Sequence, residues 1–166
     1  MDKIIDVANY IIEKYSELTK ETKETLGEMK LHKLLYFTQR ECLAITNEPA
    51  FEGDFEGWRY GPVSREVRDC YLEGEIMCCT NEISDSTKYI VNNVILEYGS
   101  LTSWKLSELS HKEKSWKNSR VGLAATENGN RLLKLEDIRD DAKKVRPYDH
   151  VWDMYYDEFD DYEEVE

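Results

Sequence analysis

Between residues 3 and 18, Ile4, Val7, Ile11, Tyr15 and Leu18 recur at steps of three and four, with Ile5, Ala8 and Ile12 beside them. That spacing predicts an amphipathic helix with one buried face. A polar connector, residues 19–25, follows. Thr25 and Glu28 then form a capping-box signature, in which each side chain reaches the other's backbone amide. From Met29 to about Ile45, Leu31, Leu34, Leu35, Phe37 and Cys42 cover more than half of the helix circumference. A helix apolar over that much of its girth belongs at the centre of a core. Asn47-Glu48-Pro49 ends it.

Residues 50–63 hold Gly53, Gly57, Gly61 and Pro62, and read as a loop with a short extended piece from Phe55 to Tyr60. Ser64 is a good N-cap for a third helix ending near Gly74. Residues 75–80 read as a short strand and 81–86 as a turn. Ile90, Val94 and Tyr98 line a fourth helix over about 86–98, with Gly99 as the residue that ends it. A short helix over about 103–110 carries Leu106 and Leu109. Residues 117–130 read as loop, and a last core helix runs over about 131–145, before Pro147. The sum is a mainly α chain: one compact helical domain over residues 1–147 with a minor β element, then an acidic aromatic C-terminal extension over 148–166.

That extension changes the picture of charge. Residues 153–166 hold eight Asp or Glu and no Lys or Arg, and Trp152, Tyr155, Tyr156, Phe159 and Tyr162 recur at helical spacing. Two readings stay open: a final helix or solvated end of the domain, or a docking element in which Trp152, Tyr156 and Phe159 anchor a basic partner. The whole 166-residue chain has a formal net charge of −13. Phosphate neutralisation drives nucleic-acid binding, so this balance disfavours nucleic acid, and it disfavours anionic membrane surfaces by the same reasoning. It favours a basic protein partner. No apolar run approaches the ~20 residues that span a bilayer, and residues 1–5 lack a basic leader region. A cytoplasmic location with free thiols at Cys42, Cys70, Cys78 and Cys79 is the expectation.

Candidate chemistry is sparse. The adjacent Cys78-Cys79 pair lacks the gap of a zinc hook, so neither metal nor cofactor is expected. No phosphate-binding glycine loop and no nucleophile elbow is present. His111 follows a short helix with Glu108 and Glu113 nearby, but a general base needs a nucleophile or substrate within reach. The chain is therefore read as a binding protein and not an enzyme. Its strongest local feature is Trp58-Arg59-Tyr60-Gly61-Pro62-Val63. Structurally it is a turn with Trp58 and Tyr60 on one face of an extended segment; functionally it has the residue types of a binding hot spot.

Three ordered blocks carry a resemblance. Leu31-His32-Lys33-Leu34-Leu35-Tyr36-Phe37-Thr38-Gln39 is similar to a Lys-Leu-Leu-Tyr-Phe helix motif followed by Gln. Phe51, Phe55 to Trp58 and Arg59 to Val63 are similar to an aromatic–Gly-Pro-Val turn. Leu106-Ser107-Glu108-Leu109-Ser110-His111, with Trp116 five residues on, is similar to a Leu-Ser-x-Leu-Thr-His block, with Ser110 where Thr is usual. Together they resemble the SocA-like antitoxin, or Panacea, domain, which includes phage-associated GepA-like proteins. The resemblance spans about residues 4–145 and leaves the acidic extension outside. It implies a compact, mostly helical domain that binds and neutralises a toxin encoded beside it. In one branch it implies an adaptor that delivers the toxin to an ATP-dependent AAA+ protease. A third possibility is a mobile-element protein that blocks a host defence by imitating nucleic-acid charge. The expected partner-binding residues are Trp58 to Val63, His111, Trp116, Trp152, Tyr156 and Phe159.

Overall fold

The computed structural model describes residues 1–18, 26–77 and 81–145. Among these the chain is helical with three small strand pairings. A two-residue strand, β1 (Asp2–Lys3), runs straight into α1 (Ile4–Leu18). The predicted stripe of α1 is buried except at its end: Ile4, Val7, Ala8, Ile11 and Tyr15 are in the core, while Leu18, in the last turn, is 44% exposed.

The central helix is α2 (Glu28–Thr46). Residues 30–43 are buried without a break, as its girth of apolar positions predicts. It packs against α1, against the helices over residues 85–98 and 135–143, and against the β-turn region. Its polar residues are buried with partners. Thr38 returns its hydroxyl to the Leu34 carbonyl at 2.7 Å. Gln39 donates to the Phe51 carbonyl at 3.1 Å and accepts from the Ala50 amide at 2.8 Å, so one side chain satisfies two backbone groups of the next segment. The helix starts differently from the capping-box reading: Gly27 is its N-cap and no side chain caps it, while Thr25 lies outside the described residues. It ends at Asn47, left-handed at φ 60°, a conformation Asn tolerates better than most residues.

Beyond α2, β2 (Phe51–Glu52) pairs in parallel with β1, and β3 (Glu56–Trp58) pairs antiparallel with β4 (Gly61–Val63). Ser64 caps α3 (Arg65–Leu72) by accepting from the Val67 amide, and Gly74 at φ 72° follows its end. Residues 75–77 form no strand, and 78–80, with Cys78 and Cys79, lie outside the described residues. Ser84 caps α4 (Asp85–Tyr98), whose Ile90, Val91, Val94 and Ile95 enter the core. Gly99 ends α4 in the right-handed region, φ −63°, and what calls for glycine there is space: a Cβ would lie 2.4 Å from the Ile95 carbonyl oxygen.

Thr102 caps α5 (Ser103–Ser110), the short helix expected over about 103–110. Two differences follow. Residues 114–119 form α6 (Lys114–Ser119), where no helix is expected from the pattern. The last helix, α7 (Leu135–Lys143), starts later than residue 131, because 131–133 pair with the segment around β3: Gly57 donates to the Arg131 carbonyl and Leu133 to the Phe55 carbonyl. Asp141 of α7 explains α6. Its carboxylate accepts from the Lys114 amide at 2.8 Å and the Ser115 amide at 2.9 Å, supplying an N-cap from a distant part of the chain. The extension with Trp152, Tyr156 and Phe159 lies outside the described residues. No described helix is long and apolar enough to cross a membrane.

Candidate functional site: a stapled turn beside a basic cavity

The β3–β4 hairpin turns at Arg59 and Tyr60, so Trp58 and Tyr60 do not share one face of an extended segment. Gly61 sits at φ 120°, a region that L side chains rarely adopt. The space is also closed: a Cβ there would lie 2.4 Å from Lys33 Cε and 2.5 Å from Ser110 Oγ. Pro62 lies inside β4 opposite Gly57, not in the entry to α3. Gly61, Pro62 and Val63 are buried, Trp58 is half-buried, and Arg59 and Tyr60 are exposed.

The turn is fastened to the third block of the sequence. Trp116 donates its indole N–H to the Trp58 carbonyl at 2.8 Å. Ser107 donates to the Tyr60 carbonyl at 2.6 Å, and Arg120 to the Gly57 carbonyl at 3.0 Å. Gly57 allows this approach, since a Cβ there would lie 1.9 Å from Ser119 Oγ. His111 stacks on Trp116, ring centroids 4.1 Å apart at 12°. Blocks two and three thus meet at one place, including six of the expected residues plus His111 and Trp116.

His111 has the surroundings of a packed group. Ser107 Oγ is 3.4 Å from its Nε2, but the Ser107 hydroxyl already donates its proton to Tyr60, so the pair is not set up as nucleophile and base. Burial lowers the His111 pKa, and a hydrogen bond to the Arg59 backbone opposes this.

A cavity of about 490 Å³ opens beside the turn. Met29, Trp58, Tyr60 and Val63 supply apolar and aromatic lining, and Lys33, Arg59 and Arg68 supply cations. Lys33 is 1% exposed, and its ammonium donates to the Pro62 carbonyl at 3.2 Å. Desolvation lowers its pKa to about 7. His32, on the same helix, accepts from the Ser64 amide at Nδ1 and meets Glu28 at Nε2, both at 3.3 Å. Desolvation, then the Lys33 charge, lowers its pKa to about 4. Arg65 and Arg68 lie over the Trp58 ring, 5.2 and 5.1 Å from its centroid, and Arg68 also pairs with Glu28 at 2.6 Å.

The sequence reading misses Trp104. It is 66% exposed on α5 and meets Tyr60 edge to face at 5.3 Å, so the two form one aromatic patch with Arg59 over the Tyr60 ring. The available signal is its position: α5 buries Leu106, Ser107 and Ser110, so a tryptophan two residues before Leu106 faces outward. Lys33 and Arg68 are also missed, since each reads as a solvated position on a helix.

A second polar cluster joins block one to block three. The Tyr36 hydroxyl lies 2.9 Å from Ser115 Oγ and 3.2 Å from both Glu113 Oε2 and Asp141 Oδ2. Arg40 pairs with Glu113 at 2.6 Å and donates to Tyr98 at 2.8 Å. Burial raises the Tyr36 pKa far above its ordinary value and raises that of Glu113, which Arg40 opposes. This cluster locks α2, α6 and α7 together under the site.

Comparison with known proteins agrees with this arrangement of blocks. No solved structure matches the chain. Antitoxin SocA of Caulobacter vibrioides (strain NA1000 / CB15N) is 30% identical over 89 residues, 54% of this chain. The chain covers only 39% of that protein's length. The model of the antitoxin SocA-like Panacea domain matches residues 31–117, which run from the Lys33 helix through the hairpin to Trp116. The three blocks that build the stapled turn therefore lie within one family signature, and the chain belongs to the SocA-like antitoxin family with a Panacea domain.

Proposed function

We propose that this protein is a cytoplasmic antitoxin that neutralises a toxin encoded beside it by direct binding, without catalysis. The observation that supports it most is the exposed Arg59–Tyr60–Trp104 patch on a turn fastened by Trp116, Ser107 and Arg120. Aromatic residues and arginine on a rigid support are the usual anchors of a tight interface. Covering a toxin's working surface takes about 800 Å² or more per partner, so the patch would be the centre of a larger contact. Of the residues expected to bind, Arg59 and Tyr60 are the exposed anchors. Trp58, Gly61, Pro62, Val63, His111 and Trp116 hold them in place.

The charge of −13 favours a basic toxin. We read residues 148–166, with Trp152, Tyr156 and Phe159, as an acidic extension of the 1–147 domain that steers such a partner by charge. The test is co-expression with the neighbouring small open reading frame. The intact chain is expected to restore growth, and Tyr60→Ala with Trp104→Ala to fail while remaining folded. A doubly substituted chain that still neutralises places the interface elsewhere. A neighbouring product that does not arrest growth overturns the antitoxin reading itself.

A further inference from the structure

The cavity beside the turn has a chemistry that the toxin-binding reading does not use. Lys33 is buried to 1% exposure, yet among the described residues its ammonium has one hydrogen-bond acceptor, the Pro62 carbonyl. An ammonium carries three N–H donors. A buried cation with donors to spare is a costly arrangement unless something else accepts from it. Glu28 faces the same space, but its Oε1 is engaged by Arg68 at 2.6 Å and by His32 at 3.3 Å. Arg59 lines the mouth and is exposed, and among the described residues no carboxylate lies within ion-pair distance of it. The lining therefore holds three basic side chains, Lys33, Arg59 and Arg68, against one carboxylate, in a chain of net charge −13. The protein's overall field repels anions, so attraction here has to come from short-range contacts. Trp58, Tyr60, Met29 and Val63 give the rest of the wall an apolar character suited to a side chain or ring.

We propose that this cavity is a binding site for a carboxylate carried on an apolar or aromatic group, with the acid on the Lys33 ammonium and Arg59 and the apolar part between Trp58 and Tyr60. The acid comes either from a protein segment or from a free small molecule. The combination of a single buried ammonium and aromatic walls suits a carboxylate with an apolar stem better than a bare inorganic anion.

The experiment is a chemical-shift titration of the full chain with N-acetylphenylalanine, with its carboxamide, and with inorganic phosphate. Charge-assisted hydrogen bonds are worth about 1.5–3 kcal/mol, so the acid should bind about tenfold or more tightly than the amide. Phosphate, lacking an apolar stem, should bind more weakly than the acid. Lys33→Met should be at least as stable as the parent, because it removes a buried charge, and should bind acid and amide alike. Arg59→Met, on the exposed rim, should keep the fold and reduce the preference severalfold. If acid and amide bind equally to the parent, if phosphate matches the acid, or if the acid preference survives in Lys33→Met, the proposal fails. Should Lys33→Met not fold, an unchanged preference in Arg59→Met overturns it. Repeating the titration on the toxin complex separates the sources. Exclusion of the probe puts the acid on the toxin, and retention assigns the cavity to a free small acid. The titration of the chain alone needs no toxin, so it stands or falls separately from the antitoxin reading.

Discussion

His32 makes acid stability a direct test of the packing around the site. The imidazole is 2% exposed, and its Nδ1 accepts from the Ser64 amide. Accepting requires a bare Nδ1, so the proton sits on Nε2, where it can donate to Glu28. Protonating Nδ1 would set two N–H donors against each other at the start of α3. Burial, with the Lys33 charge second, holds the folded pKa at about 4, against an ordinary 6.5. Between those values the unfolded chain binds a proton that the folded chain does not. Stability therefore rises with pH across this window; it is fully present above 6.5 and is lost as pH falls toward 4. At about 1.4 kcal/mol per pH unit, the gap amounts to about 3 kcal/mol, or a Tm change of about 10 °C for a domain of this size. The assay is urea unfolding at pH 7 and pH 4 for the parent and for His32→Asn, which offers Ser64 an acceptor that does not titrate. The stability difference between the two should shrink by about 3 kcal/mol on acidification, while shared carboxylate effects cancel. A difference that is the same at both pH values would show that His32 is not held neutral by burial.

Three further outcomes are expected. Gly61→Ala forces φ 120° on a residue with a Cβ and drives that atom toward Lys33 and Ser110, so urea unfolding should show a loss of about 2–4 kcal/mol. Tyr36→Phe leaves Glu113 and Asp141 without the phenol between them and should cost about 1–3 kcal/mol, measured the same way. Trp104→Ala lies on the surface and should change stability by no more than about 0.5 kcal/mol, yet weaken toxin binding tenfold or more in a calorimetric titration.

The elements that could be read from the sequence are those whose apolar periodicity is local. The stripe of α1 and the girth of α2 each declare a buried face within the element, and Ser64 marks a start with its side-chain cap. What escaped depends on remote partners. Residues 114–119 contain one apolar residue, Trp116, and are helical because Asp141 caps them from α7. Residues 131–133 look helical by their leucines, but the segment around β3 claims their backbone. At the site, the turn motif and the His111–Trp116 block were both visible, while their contact was not, since it is made by backbone carbonyls that carry no sequence identity. Lys33 and Trp104 escaped for opposite reasons: a cation in a buried place, and an indole in an exposed one.

The position of α2 constrains how such a protein can be cut or re-threaded. Helices α1, α3, α4, α5 and α7 and strand β4 all rest on that single rod, and Gln39 even stands in for strand partners of the chain that follows it. Among the described residues the buried side chains form one core, with no seam dividing them into halves. New termini placed within residues 28–46 should yield fragments that fail to reassemble, whereas an opening among the exposed positions 124–128, at the rim of the cavity, should leave a folded molecule. Substitutions at that outer edge should therefore be tolerated by the fold, with the rod beneath left unchanged.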